Sequence, residues 1–167
     1  MKVKVLVISD SCFRKEREDI SGKVMERILR KWGWRVVGKE ILPDEELRIE
    51  EVLRKGVEEG VDLILTTGGT GVGSRDVTPE ATRKVIEKEI PGIGELIRMK
   101  GFFKTPFSVL SRGIAGVKEK TLIVNLPGSP KGVEESLLLL KEILLHAHEI
   151  LQGRGKHDHR SDIGGRE

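Results

Sequence analysis

Apolar positions fall along this chain in two alternating patterns, short continuous runs and helical stripes. Val3 to Ile8 is apolar throughout except for Lys4, as expected of a strand covered on both faces. It ends at the polar pair Ser9-Asp10, and the charged stretch Arg14 to Asp19 reads as a loop. Ile20, Val24, Ile28, Leu29 and Trp32 then recur at helical spacing, with Asp19 or Ser21 as the cap and Gly33 as the stop. Trp34 to Leu42 is a second strand, broken by Pro43. Glu45 to Gly60 is a second helix with Ile49, Val52, Leu53 and Val57 on its inner face, and Asp44 stands where its N-cap belongs. Val61 to Thr66 is another buried strand.

The third helix is predicted from Thr78 to about Glu89, with Thr78 as N-cap, Pro79 at the first helical position and Pro91-Gly92 as the stop. Ile93 to Lys100 reads as a short helix, and Phe102 to Arg112 as loop plus a further short helix. Gly113 to Val117 and Thr121 to Leu126 form a hairpin around the charged turn Lys118-Glu-Lys120. Val133 to Leu151 is the last helix, with Val133, Leu137, Leu140 and Leu144 facing inward. From Gly153 the sequence is charged and glycine-rich without an apolar period.

Strands alternating with helices imply an α/β fold: a single doubly wound, mostly parallel sheet with helices on both faces and a small antiparallel hairpin at one side. Residues 1–152 make one domain and residues 153–167 a flexible charged tail. Such sheets bind ligands beyond the carboxyl ends of their strands. Ser9-Asp10, Asp44, Thr66 to Asp76 and Asn125 to Lys131 all fall at those ends, so residues remote in sequence are expected on one rim.

The central segment of that rim is Thr67 to Val77, a loop with Gly68, Gly69, Gly71 and Gly73 between a strand and a helix start. Glycines permit positive φ and let backbone N–H groups approach an anion, and the helix N-terminus adds a positive dipole end. The segment is neither of the two common nucleotide loops. Ser74 stands where a P-loop needs Lys, and it also replaces the third glycine of the dinucleotide fingerprint. Arg75 and Asp76 equip the loop for a charged ligand or a metal.

Composition narrows the partners. The chain has 167 residues, 34% of them charged, with a net charge of +3. That balance, with no Tyr and no basic run interleaved with aromatics, argues against nucleic acid. The most apolar run, Leu137 to Leu145, is interrupted by Lys141-Glu142 and is too short to span a membrane. A strand that starts by residue 3 leaves no room for a leader, and Cys12, the single cysteine, can form no internal disulfide. A reducing cytoplasm is the expected location. Asn125 and Gln152 are the only side-chain amides, and their scarcity beside many Lys, Glu and Arg points to a heat-adapted source. His146 and His148 are two apart on a helix and make a poor metal pair.

Thr67-Gly-Gly-Thr-Gly71 followed by Arg75-Asp-x-Thr-Pro-Glu-Ala81 resembles the MogA/MoaB family of molybdenum-cofactor biosynthesis, which includes the gephyrin G domain. Ser9-Asp10, Leu42-Pro-Asp-Glu45, Pro91-Gly92, Leu110-Ser-Arg112 and Asn125-Leu-Pro-Gly-Ser-Pro-Lys131 extend the likeness over residues 1–152. The resemblance implies a molybdopterin adenylyltransferase that uses ATP and molybdopterin as substrates and Mg²⁺ as cofactor. It implies catalytic roles for Asp44 and Asp76, which would also hold the metal. Substrate or nucleotide contacts are expected from Ser9, Asp10, Thr67, Gly68, Gly69, Thr70, Gly71, Arg75, Ser111, Arg112, Asn125, Pro127, Gly128, Ser129 and Lys131. It further implies a homotrimer or dimer of trimers, and a downstream protein that inserts molybdate or tungstate. Three other roles stay open at this point: a molybdopterin carrier without catalysis, a nucleotide hydrolase of the competence-damage type, and a scaffold.

Overall fold

The computed structural model describes residues 1–154, so most of the expected 153–167 tail lies outside the described residues. In chain order the elements are β1 (Lys2–Ile8), α1 (Asp10–Phe13), α2 (Ile20–Lys31), β2 (Arg35–Leu42), α3 (Glu46–Glu58) and β3 (Leu63–Thr67). They are followed by α4 (Thr78–Val85), β4 (Lys88–Glu89), α5 (Pro91–Phe102), a 3₁₀ turn (Pro106–Leu110), β5 (Ala115–Lys118), β6 (Thr121–Leu126) and α6 (Pro130–Leu151).

The six strands form one sheet in the order β2-β1-β3-β6-β5-β4. The β1–β2, β1–β3 and β3–β6 pairs are parallel, and the predicted β5–β6 hairpin is antiparallel, with β4 antiparallel to β5 at the edge. Successive strand side chains point to opposite faces, so each inner strand supplies two cores. Val3, Val5 and Val7 pack with Leu63, Leu65 and Val124 under α2 and α6. Leu6 and Ile8 pack with Ile64 and Ile123 under α3 and α4. Lys4, the polar interruption in β1, is buried on this second face and is neutralised by Glu40 at 3.0 Å and Glu59 at 3.2 Å. Among the described residues no helix is long and apolar enough to cross a membrane.

Several boundaries differ from the sequence expectation. Helix α4 stops at Val85, and Lys88–Glu89 adds an edge strand to β5. Two exposed charged residues carry no alternating pattern, so that strand had no hydrophobic signature to read. Pro91, read as a helix stop, is instead the first residue of α5, where its missing N–H removes no helical bond. Asp10–Phe13 forms one helical turn inside what read as the end of a strand and a loop, capped by Ser9 Oγ accepting from the Cys12 N–H.

The chain runs from β1 outward to β2 and then returns to place β3 on the other side of β1. This reversal opens a crevice at the carboxyl ends of β1 and β3, where Val7 and Thr67 are register partners.

Candidate active site

Two consecutive left-handed glycines begin the loop after β3, Gly68 at φ +95° and Gly69 at φ +63°. A Cβ on Gly68 would lie 2.2 Å from the Ile8 carbonyl oxygen, so the loop passes against the end of β1 with no room for a side chain. Thr78 fixes the loop at two points: its hydroxyl donates to the Gly68 carbonyl at 3.0 Å, and its N–H donates to the Gly69 carbonyl at 3.0 Å. Thr78 is therefore not the N-cap of α4. Val77 holds the cap position, and Pro79 is the second helical residue. The backbone N–H groups of Gly69, Thr70 and Gly71 find no protein acceptor among the described residues, which suits a loop that receives an external anion.

Arg112 was expected among the substrate contacts, and its guanidinium is committed within the fold. It donates to the Gly71 and Asp76 carbonyls at 2.7 Å each and pairs with Glu80, while the Arg112 N–H bonds the Thr70 carbonyl at 2.7 Å. Arg112 thus shapes the glycine loop from behind. Arg112→Lys keeps the charge and loses the fork, so kcat/KM for the turnover proposed below is expected to fall by on the order of tenfold to a hundredfold. The drop in melting temperature should be only a few degrees, as read by scanning calorimetry.

Asp10 and Asp44 exchange backbone contacts across the crevice. The Asp10 N–H donates to Asp44 Oδ2 at 2.8 Å, and the Asp44 N–H donates to Asp10 Oδ1 at 3.0 Å. Asp44 is thus not the cap of α3. The cap position is Glu45, with no side-chain bond. Arg75 reaches both Asp10 carboxylate oxygens at 3.0 Å, and this bond, helped by the Asp44 N–H, holds the Asp10 carboxyl below its ordinary range. Asp76 folds back so that its Oδ2 accepts from the Gly73 N–H at 2.8 Å.

Asn125 was expected on the rim and lies below it. Only 2% exposed, it donates through Nδ2 to Thr66 Oγ1 at 3.1 Å and Thr82 Oγ1 at 2.9 Å, and accepts the Ile114 N–H. Its side chain is spent on ties between β3, α4 and the hairpin. Thr67 is also buried and donates to the Pro127 carbonyl at 2.7 Å. Asn125 acts as a strut beneath the surface, whereas Thr67, although nearly buried, also borders a cleft.

Two clefts open on the finished rim. One, of about 630 Å³, is lined by Ser9, Asp44, Gly68, Gly69, Asp76 and Gly128, together with Arg17 to Ser21, which end the preceding loop and start α2. The other, of about 470 Å³, lies between α5 and α6 and is lined by Lys100, Lys104, Phe107, Ser111, Pro127 and Lys131. Ser129 lines both. Arg17 to Ser21 and Lys100, Lys104 and Phe107 were missed from sequence as cleft residues. Asp19 signals only a helix cap, and the lysines sit among many other surface charges.

The chain matches the family described as a probable molybdopterin binding domain over residues 4–147. It belongs to that family. A molybdopterin adenylyltransferase of Helicobacter pylori J99 is 44% identical over 152 residues, covering 89% of this chain and 86% of that one. The molybdenum cofactor synthesis protein cinnamon of Drosophila melanogaster is 41% identical over 150 residues, and those cover 88% of this chain but only 25% of that protein. The crystal structure of the molybdopterin biosynthesis enzyme MoaB from Thermus thermophilus superposes with a TM-score of 0.86 at 47% identity, covering 92% of this chain and 98% of that one.

Within this molybdopterin-binding domain, the Asp44 carboxylate is held under electrostatic load. Burial pushes its pKa above the ordinary range, and the charges of Asp10 and Asp76 add to the push, against the stabilising Asp10 N–H. Because the folded state disfavours ionised Asp44, its destabilising contribution grows as pH rises above the ordinary aspartate value and is complete above the raised one. Asp44→Asn, whose amide oxygen can still accept the Asp10 N–H, is expected to raise the melting temperature at neutral pH in metal-free, nucleotide-free buffer. The gain should vanish as pH falls toward about 4. An unchanged or lower melting temperature at neutral pH would contradict this account of Asp44.

A divalent cation would relieve the same repulsion. Among the described residues no group of three or more His, Cys, Asp or Glu is placed to hold a metal. Asp44 and Asp76 line one cleft, and two carboxylates suit Mg²⁺, which completes its shell with water and substrate oxygens.

Proposed function

We propose that the protein is a molybdopterin adenylyltransferase that moves AMP from ATP to the terminal phosphate of molybdopterin and releases pyrophosphate. The observation that carries this reading is the pair of adjoining clefts meeting at Ser129. A two-substrate transfer needs two sites whose reactive ends touch. The cleft with the glycine loop, Asp44 and Asp76 suits a nucleotide polyphosphate. The cleft with Phe107, Lys100, Lys104 and Lys131 suits a flat heterocycle that carries a phosphate.

A pterin phosphate oxygen attacks the α-phosphorus, the new P–O bond forms, and the bond to the β-phosphate oxygen breaks with pyrophosphate as leaving group. The nucleophile is already anionic at neutral pH, so no strong base is required. Alignment and charge compensation supply the catalysis. The unpaired N–H groups of Gly69, Thr70 and Gly71 bind phosphate oxygens. Asp44 and Asp76 hold Mg²⁺, which when bound neutralises phosphate charge. Ser111 and Lys131 serve the pterin side, Ser9 and Gly128 the nucleotide side. Asp10 and Arg75 set the position of Asp44.

The test incubates the purified protein with ATP, Mg²⁺ and molybdopterin and follows adenylylated pterin and pyrophosphate by mass spectrometry. Adenylylated product in a one-to-one ratio with pyrophosphate is the expected result. Pterin retained with ATP intact would replace this reading with the carrier role.

The wider setting follows the same proposal. The protein is cytoplasmic, comes from a heat-adapted source and hands its product to a molybdate- or tungstate-inserting protein. It assembles as a homotrimer or a dimer of trimers. Met99, Phe102, Phe103 and Val109 are all more than half exposed on α5 and the segment that follows it, an apolar surface available for contact with a second copy. Light scattering that returned the monomer mass would overturn the assembly.

A further inference from the structure

The turn Pro127-Gly-Ser129 precedes α6 and borders both clefts, and two of its carbonyls are each tied to a buried hydroxyl. Thr67 Oγ1 donates to the Pro127 carbonyl at 2.7 Å, and Ser21 Oγ donates to the Gly128 carbonyl at 2.7 Å. Both side chains are largely buried, Thr67 at 1% and Ser21 at 8% exposure, whereas Gly128 and Ser129 are exposed. The described chain has no cis peptide. In a planar trans peptide the C=O and the following N–H point in opposite directions. Pinning the Pro127 carbonyl therefore aims the Gly128 N–H away from Thr67, and pinning the Gly128 carbonyl aims the Ser129 N–H away from Ser21. Neither N–H has a protein acceptor among the described residues.

The structure assigns Ser21 as a positioning residue: its hydroxyl fixes the peptide plane that presents the Ser129 N–H, beside the Gly128 N–H, to an anionic oxygen of the substrates. This rests on the two-cleft reading above and names a residue for that site.

A glycine in an exposed turn samples many backbone states, so the peptide on its C-terminal side is free to rotate unless something outside the turn holds it. Ser21 is well suited to that task because α2 does not need its hydroxyl. Asp19 already caps α2 by accepting the Gly22 N–H at 2.7 Å, and Lys39 steadies Asp19 at 3.3 Å. Gly22 then brings the first turn of α2 against β1, since a Cβ there would lie 2.6 Å from Val7 Cγ2. The Asp19-Ile-Ser-Gly22 segment thus caps, reaches out and packs closely within one turn. On the other side, a Cβ on Gly128 would lie 3.4 Å from the Gly68 Cα, so the turn also touches the glycine loop. The Thr67 bond ties this turn to the end of β3, where the glycine loop begins, and the Ser21 bond ties it to α2.

The test compares Ser21→Ala with Thr121→Ala. Thr121 is 2% exposed and its hydroxyl donates to the Val61 carbonyl at 2.7 Å, the same kind of tie at the opposite end of the sheet. Both variants are expected to lose similar thermal stability. Ser21→Ala is expected to lower kcat/KM by about tenfold or more, toward the range of a misplaced oxyanion donor, with Thr121→Ala within about twofold of wild type. Ser21→Thr, which restores a hydroxyl, should recover most of the loss. If the wild type proves not to turn over, the same comparison is made on the dissociation constants of ATP and molybdopterin, where Ser21→Ala alone should weaken one of them. A Ser21→Ala protein with wild-type kinetics and affinities, or one whose loss is matched by Thr121→Ala, overturns the assignment.

Discussion

Asp76→Asn is expected to reduce adenylyl transfer by about a hundredfold to a thousandfold while leaving the fold intact. The asparagine oxygen can still accept the Gly73 N–H that Asp76 Oδ2 now accepts at 2.8 Å. The Asp76 carbonyl, which receives Arg112 at 2.7 Å, is untouched. The loop therefore keeps its shape and loses one negative charge. If that charge serves to hold Mg²⁺ against the substrate phosphates, transfer fails, and the dependence of rate on Mg²⁺ concentration shifts to higher values. Mass spectrometry of the products, with circular dichroism as the fold control, reads both effects. Wild-type turnover in Asp76→Asn would remove Asp76 from the metal site and leave that role to Asp44.

Gly68→Ala is the second large effect, and its origin is steric. A residue with a Cβ at φ +95° is strained by about 1–3 kcal/mol. The added methyl would also sit 2.2 Å from the Ile8 carbonyl oxygen. That oxygen belongs to the end of β1, which lies between β2 and β3, so the neighbour that must give way is backbone. The loop itself has to move, and with it the N–H groups of Gly69, Thr70 and Gly71. A fall of several degrees in melting temperature together with loss of detectable transfer is the expected pair of results. Gly38→Ala in β2 is the control: φ there is not positive, and an added methyl would meet no atom within 4 Å. A Gly68→Ala protein as stable and active as the wild type would show that the loop does not need its left-handed turn.

How much of this was written in the chain depends on the range of the interaction. The central parallel strands β1 and β3 were legible because mostly apolar runs of six residues, Val3 to Ile8 interrupted by Lys4 and Val61 to Thr66 by Asp62, suit a strand buried on both faces. The helices were legible from their stripes, and the hairpin from two apolar segments around a charged turn. Edge strand β4 was not, because an exposed two-residue strand exists only through the β5 partner that Lys88 and Glu89 find. The same holds for the caps. Thr78 and Asp44 have the right residue type and position for an N-cap, yet each has a stronger partner brought in by tertiary contact, the Gly68 carbonyl for Thr78 and the Asp10 N–H for Asp44.

The rim divides in the same way. By itself the sequence determined that the chain is α/β, that its polar segments gather beyond the strand ends, and that a glycine loop before a helix lies on that rim. These follow from local periodicity, from the freedom of glycine and from the rule that a doubly wound sheet brings those ends together. Only the tertiary structure decided which of the gathered residues face the clefts and which hold them in place. Asn125 and Arg112 carry the chemistry of ligand-binding residues, but each is engaged by a partner 36 to 59 residues away, in β3 and the glycine loop respectively. Ser21 had no local signal, since its acceptor lies 107 residues along the chain. A hydrogen bond needs a donor and an acceptor within about 3 Å. Sequence names the donor, and only folding supplies the distance.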